Sequence, residues 1–173
     1  MHALQVIINQ RWFNLFVAAF SAALIGAALY FQYVDKLDPC PLCIFQRVIV
    51  IAFGAVFFIK FLHHPKRSSA MQWFYYGLGL VVAGVGVAIS GRHVWLQNLP
   101  PDQVPACGPA LDYLMEALPF LEVIDVVMQG SGECAKVSWT LLGISMPAWM
   151  LIIFIGMAIF CLFGLWSRFS ANR

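Results

Sequence analysis

The chain has 173 residues, of which 62% are hydrophobic and only 10% charged, and its mean hydropathy is +0.83. That leaves too little polar surface for a water-soluble domain, so the composition is that of an integral membrane protein. The net charge of +2, with no basic patch interleaved with aromatics, gives no ground for a nucleic-acid partner.

Four apolar stretches, at about 12–31, 44–62, 71–90 and 146–166, each approach the ~20 residues that a helix needs to cross ~30 Å of hydrocarbon. The expected fold is all-α: a four-helix transmembrane bundle forming a single domain over 1–173, with external loops at about 32–43 and 91–145. Six basic residues (Arg11, Lys60, Lys66, Arg67, Arg168, Arg173) lie at the span ends on the side of the termini and the middle loop, against four (Lys36, Arg47, Arg92, Lys136) on the other side. The positive-inside tendency therefore puts both termini in the cytoplasm and both cysteine-bearing loops outside. Trp12, Trp73 and Trp166 then fall near the inner surface and Trp95, Trp139 and Trp149 near the outer one, as interfacial anchors do.

The first span follows Arg11 and is longer than the ~7–15-residue core of a cleaved signal, so it reads as an uncleaved anchor. The short outer loop ends in Asp38-Pro39-Cys40-Pro41, which reads as a cap residue followed by prolines of a first helical turn. Cys43 is then expected at the start of the second span. The unsatisfied N–H groups and partial positive charge of a helix N-terminus stabilise a thiolate there. Arg47, four residues after Cys43 and seven after Cys40, shares their helix face. A cation at the N-terminal, outward end of a helix is disfavoured, which marks Arg47 as functional rather than a snorkelling anchor.

Glycines 77, 84 and 91, with 79 and 86 beside them, read as a close-packing stripe along the third span. In the long outer loop, Cys107 lies in Pro105-Ala-Cys-Gly-Pro109, just after Pro100 and Pro101. Prolines at this density forbid regular helix, so Cys107 is expected on an extended segment that a partner's thiolate can reach. Cys134, in Gly130-Ser-Gly-Glu-Cys, is expected to be similarly flexible. The apolar stretch 111–128 between them carries four acids and is expected in part to lie on the membrane surface. Cys161, near the cytoplasmic end of the fourth span, reads as a small buried hydrophobe. Cys40-Pro-Leu-Cys43 also has bland readings: a structural disulfide, or half of a zinc site. A tetrahedral zinc site wants four ligands, and His93, Cys107 and Cys134 supply no second tight pair, so no metal is assigned.

Taken together, these residues resemble one family. Four spans, Cys-x-x-Cys followed by Ile44-Phe-Gln-Arg47, His93-Val-Trp-Leu-Gln, and Cys134-Ala-Lys-Val-Ser-Trp139 leading to Gly143-Ile-Ser-Met-Pro147-Ala-Trp149 are similar to the DsbB family of bacterial inner-membrane disulfide bond formation proteins. The resemblance implies a thiol:quinone oxidoreductase of the bacterial inner membrane. In it, Cys107 and Cys134 would oxidise a periplasmic thioredoxin-fold partner of the DsbA type, with Cys107 forming the mixed disulfide. Cys40 and Cys43 would reoxidise that pair and pass the electrons to ubiquinone, or to menaquinone, beside Arg47, His93 and Met146. The proline in Cys-Pro-Leu-Cys departs from the family pattern and bears on the reduction potential of that pair. A strongly oxidising periplasmic dithiol sits near about −120 mV and ordinary structural disulfides lie below about −300 mV, a gap of roughly 8 kcal/mol for two electrons. A high-potential acceptor is what closes such a gap. Alternative readings are a paralogue devoted to one substrate and, in another class, a non-enzymatic membrane scaffold braced by inert disulfides.

Overall fold

The computed structural model describes residues 11–65, 70–100, 102–105 and 111–171. Four long helices dominate it: α1 (Arg11–Tyr33), α2 (Pro41–His63), α3 (Ala70–Gln97) and α7 (Met146–Ala171). Each contains a stretch long and apolar enough to cross a membrane. Large apolar side chains such as Phe16, Phe58, Val81 and Ile159 remain exposed on the outside of the bundle. Helices that are apolar all round and bury only part of that surface fit a lipid surround rather than water.

The core forms where α3 packs on α7 and on α2, while α1 packs on α2. Phe53, Phe57, Tyr76, Phe154 and Cys161 are buried there. Phe57 stacks with tilted rings against Phe53 at 4.8 Å and Phe160 at 5.3 Å, offset geometries that aromatic quadrupoles favour. Lys60, near the far end of α2, is also buried, with its Nζ 3.3 Å from the centroid of Tyr76. A ring face replaces part of the ammonium's lost hydration.

The glycine stripe divides. A Cβ on Gly86 would come within 2.4 Å of the Phe154 ring, and one on Gly79 within 3.0 Å of both Cys161 and Phe57. Gly77, Gly84 and Gly91 have nothing within 4 Å, so the expected contact stripe runs through 79 and 86 instead. Residues seven apart fall on one helix face, and 77, 84 and 91, offset by two residues from 79 and 86, form an unpacked row on nearly the opposite face. Gly86→Ala is expected to force Phe154 out of place and cost about 1–3 kcal/mol, by analogy with overpacked cores. Thermal unfolding in detergent checks it, with Gly84→Ala as a near-neutral control.

Three boundaries differ from the sequence expectation, and each has a local cause. Helix α2 begins with Cys40, not Asp38, as its N-cap, at φ −66° and ψ 161°. Both Asp38 and Cys40 precede prolines, which favours extended backbone, so the helix starts only with Pro41 at N1. Helix α3 continues to Gln97 rather than ending near 90, because no helix breaker occurs before Pro100. His93 is therefore a helical residue. The remainder of the connection is also more ordered than an open loop, with short helices α4 (Leu111–Ala117), α5 (Phe120–Gln129) and α6 (Gly132–Ala135).

The connection is tied down at several points. Val123 and Val127 of α5 are buried, Leu121 on its other side is 78% exposed, and α5 rests on α2. Arg92 Nε and Nη2 donate to the carbonyls of Met128 and Gln129, satisfying the C-terminal end of α5. A hairpin, β1 (Thr140–Leu141) and β2 (Ile144–Ser145), turns through Leu142 and Gly143. Both turn residues have positive φ, 54° and 77°, as a two-residue type I′ turn requires, and Gly143 adopts it without a Cβ clash. Ser145 Oγ then donates to Gln97 Oε1 at 2.7 Å, fixing the start of α7 against the end of α3.

Candidate functional site

The N-terminus of α2, the C-terminal turns of α3, the short helix α6 and the start of α7 converge at one end of the bundle. A cavity of about 620 Å³ opens there, lined by Cys40, Cys43, Arg47, His93 and Met146 among others. Its lower wall is apolar, with Leu24, Ile25, Val50, Met150 and Ile153. Trp139 and Trp149 stand at the side, and Trp149 Nε1 donates to the Leu141 carbonyl at 3.2 Å.

Pro41 at N1 sets the geometry of the cysteine pair. It holds Cys40 extended as the cap and leaves Cys43 in the first turn, so the two sulfurs lie 3.1 Å apart, with the Cys40 thiol donating to Cys43. Cys134 is not flexible as expected: it is 1% exposed, packed in α6 with its thiol against Cys40. Gly130, where a Cβ would come within 2.4 Å of Leu96, lets the chain entering α6 sit this close to α3. Cys107 lies outside the described residues.

The Cys134 hydrogen bond favours a Cys40 thiolate, but the bond from Cys40 to Cys43, burial and the adjacent Cys43 charge outweigh it and push Cys40 up to about 12. The hydrogen bond to Cys40, then burial, raises the Cys134 thiol well above the usual range, with Ser131 only partly offsetting this. A donor chain thus runs from Cys134 to Cys40 to Cys43. The sulfur that ends it is the one nearest the helix N–H groups and Arg47. With the pair reduced, Cys40 should alkylate at least ~30-fold more slowly at pH 8 than a free cysteine, since its smaller thiolate fraction outweighs its greater intrinsic nucleophilicity. Its iodoacetamide rate, followed by mass spectrometry, should climb with pH up to about 12. A plateau by pH 9 would contradict this.

His93, 2% exposed, links the two cysteine segments. Its Nε2 lies 3.1 Å from the Cys134 carbonyl and 3.7 Å from Cys40 Sγ, while Nδ1 lies 3.4 Å from Gln46 Nε2. With the Gln46 amide donating to Nδ1, the ring proton sits on Nε2 and is given to the Cys134 carbonyl. Arg47 Nη2 donates to the Ala28 carbonyl at 3.1 Å and Nη1 donates to Gln32 Oε1, so α1 aims the guanidinium.

The family resemblance groups Cys40, Cys43, Arg47, His93 and Met146 at one site, and all five line this cavity. Sequence reasoning missed Gln46, which supports His93, and Gln32, which supports Arg47. The available signal was an amide side chain inside or at the edge of an otherwise apolar span, which is costly unless partnered.

The family described as "Disulfide bond formation protein DsbB" matches residues 10–164. Proteins named disulfide bond formation protein B are similar over nearly their whole length. The one from Acinetobacter baumannii is 51% identical over 154 residues, covering 88% of this chain and 90% of its own. That of Stutzerimonas stutzeri is 50% identical over 157 residues, covering 90% and 95%. That of Methylococcus capsulatus is 49% identical over 148 residues, covering 86% and 89%. With its paired thiols beside a cavity at one end of a four-helix membrane bundle, the chain belongs to the DsbB family and is a membrane disulfide oxidoreductase.

Proposed function

We propose that this oxidoreductase takes two electrons from a reduced periplasmic thioredoxin-fold partner of the DsbA type and delivers them to ubiquinone, in a bacterial inner membrane with both cysteine segments facing the periplasm. The observation that carries the reading is the contact of Cys134 with Cys40, and of Cys40 with Cys43, at the mouth of a cavity holding Arg47 and His93. Thiol exchange needs sulfurs in contact, and here they form a row leading toward the membrane interior.

The partner's two thiols reduce the Cys107 to Cys134 disulfide by way of a mixed disulfide on Cys107, and the partner leaves oxidised. The freed Cys134 sulfur attacks Cys40 of the Cys40 to Cys43 disulfide, forming a bond to Cys40 and releasing Cys43. Attack by Cys107 on Cys134 then restores the first disulfide and leaves Cys40 and Cys43 as a dithiol. Re-forming their disulfide releases two electrons and two protons.

A quinone accepts that number of each. The cavity suits one: its volume of about 620 Å³ falls within the range of small-molecule sites. Its apolar wall matches an isoprenoid tail, and its polar end offers a guanidinium and amides to the ring oxygens. Arg47, held by Gln32 and Ala28, fixes a positive charge where the oxygens gain electron density. His93 holds α6 against α2, keeping Cys134 in reach of Cys40.

The test is reduction of a short-chain ubiquinone by the purified protein supplied with a reduced thioredoxin-fold oxidase, followed by absorbance. No quinone reduction at any quinone type would defeat the reading. Orientation is checked with an impermeant thiol reagent on reduced, intact spheroplasts, which should label Cys107 without lysis.

A further inference from the structure

The same atoms meet the requirements of a metal site, which the linear spacing of the cysteines does not reveal. Cys40 Sγ, Cys43 Sγ and His93 Nε2 all lie within 4.8 Å of one another. The two sulfurs are 3.1 Å apart, and Cys40 Sγ is 3.7 Å from Nε2. Around a tetrahedral zinc, with Zn–S ~2.3 Å and Zn–N ~2.0–2.1 Å, ligand atoms stand roughly 3.5–3.8 Å apart. Both separations are within about 1 Å of that spacing, so small side-chain rotations suffice. Cys134 Sγ, hydrogen-bonded to Cys40 from the other segment, lies more than 4.8 Å from at least one of these three atoms and joins them only by a further side-chain rotation. His93 and Cys134 are both almost fully buried, which shields such a site from water.

We propose that the fully reduced protein binds one thiophilic divalent cation of the zinc and cadmium class through Cys40, Cys43 and His93 Nε2, with Cys134 as the fourth ligand, and that the bound ion blocks disulfide exchange. Three thiolates and one imidazole are the soft donor set that selects these ions over magnesium or calcium. Binding expels three thiol protons to solvent and moves no electrons. Oxidation abolishes the site, because a disulfide sulfur has no thiolate to offer, so the cation selects and holds the reduced state.

His93 must present a lone pair at Nε2, which requires the proton to move to Nδ1 and the Gln46 amide to turn so that its oxygen accepts. The existing bond from Nε2 to the Cys134 carbonyl is then given up. Gln46 is thereby a positioning residue for the ligand, the outer partner that metal-bound histidines usually have.

The metal affinity rests on geometry alone, whereas the block on turnover rests on the proposed relay. The full chain, purified in detergent, is reduced, freed of reductant and titrated with Zn²⁺ against a chromogenic chelator. One equivalent should bind to the reduced protein and none to the oxidised protein. His93→Ala and Cys134→Ser should each weaken binding at least ~10-fold, and Gln46→Leu by ~10–100-fold. His93→Cys should restore much of the loss, which separates a lost ligand from a misfolded variant. Cys107→Ser and Cys161→Ser should bind as the unaltered chain does. Co²⁺ in place of zinc should give the visible bands of a tetrahedral, thiolate-rich site.

Absence of stoichiometric binding to the reduced protein, or affinity in His93→Ala and Cys134→Ser unchanged from that of the unaltered chain, would overturn the site. Zinc should also stop quinone reduction, with recovery on adding chelator. Binding without that loss would overturn the block while leaving the site standing. A protein inactive toward quinone would still bind zinc, so failure of the two readings is distinguishable.

Discussion

Changing any of Cys40, Cys43, Cys107 or Cys134 to serine is expected to lower partner-driven quinone reduction by at least ~10³-fold, while Cys161→Ser stays within about twofold of the unaltered chain. The magnitude follows from the chemistry: a serine oxygen cannot form the disulfide, so loss of one sulfur stops a serial relay rather than slowing one step. Cys161 is buried between α3 and α7, against Gly79, far along the bundle from the row of sulfurs at the α2 N-terminus. The four variants should nevertheless fail differently. In Cys134→Ser, Cys107 has no disulfide to offer a reduced partner; its lone thiol can instead attack the disulfide of the oxidised partner, bonding to one partner sulfur and releasing the other as a thiol, so a covalent complex through Cys107 should appear with oxidised partner and not with reduced partner. In Cys40→Ser and Cys43→Ser, the Cys107 to Cys134 disulfide should oxidise one equivalent of partner and then stop. Non-reducing electrophoresis and single-turnover partner oxidation read these outcomes. Full activity in Cys107→Ser, or trapping of the partner on Cys40 or Cys43, would reverse the assigned direction of electron flow.

Which of these features could be read from the chain depends on how local they are. The four helices were legible because hydropathy over ~20 residues is a local property set by bilayer thickness. The pairing of Cys40 with Cys43, and the placement of Arg47 on their face, needed only helix periodicity. His93 carries no such signal. It becomes a site residue because α3 runs on to Gln97 and because α6 delivers the Cys134 carbonyl to its Nε2, contacts that join residues 41 positions apart. The burial of Cys134 was illegible for the same reason, since Gly130-Ser-Gly reads locally as flexible chain. What orders it is tertiary: Gly130 lies against Leu96, where a Cβ would come within 2.4 Å. The glycine rows of α3 show the converse limit. A repeat of seven identifies a face but not which neighbour covers it, and only the packing of Phe154 and Cys161 distinguishes 79 and 86 from 77 and 84.

Arg47→Ala is expected to lower kcat/KM for quinone about 100-fold or more, and Arg47→Lys about 10-fold, with exchange between the Cys107 to Cys134 pair and the partner within about twofold of normal. Removing one preorganised donor to a developing oxyanion typically costs ~10²–10³-fold, about 2.7–4 kcal/mol. The upper end applies where water is scarce, since two unit charges 4 Å apart interact by about 4 kcal/mol at an effective dielectric of 20 but only about 1 in bulk water. Lysine retains the charge but not the fork. The guanidinium here spends one arm on Gln32 and another on the Ala28 carbonyl, both on α1, and so is held rigid across the cavity wall. A compact ammonium on a flexible stem can satisfy only part of that arrangement. Gln32→Leu offers an independent check, because it leaves the charge in place and removes only its anchor. It should raise KM for quinone several-fold with a smaller change in kcat, whereas Arg47→Ala should depress kcat as well. The partner half-reaction serves as the internal control, since it is completed by sulfurs on α6 and the segment before α4 without calling on Arg47. Steady-state kinetics with saturating short-chain quinone, beside single-turnover oxidation of the partner, separate the two halves. Unchanged kcat and KM in Arg47→Ala would leave Arg47 as a brace between α1 and α2 with no part in electron delivery.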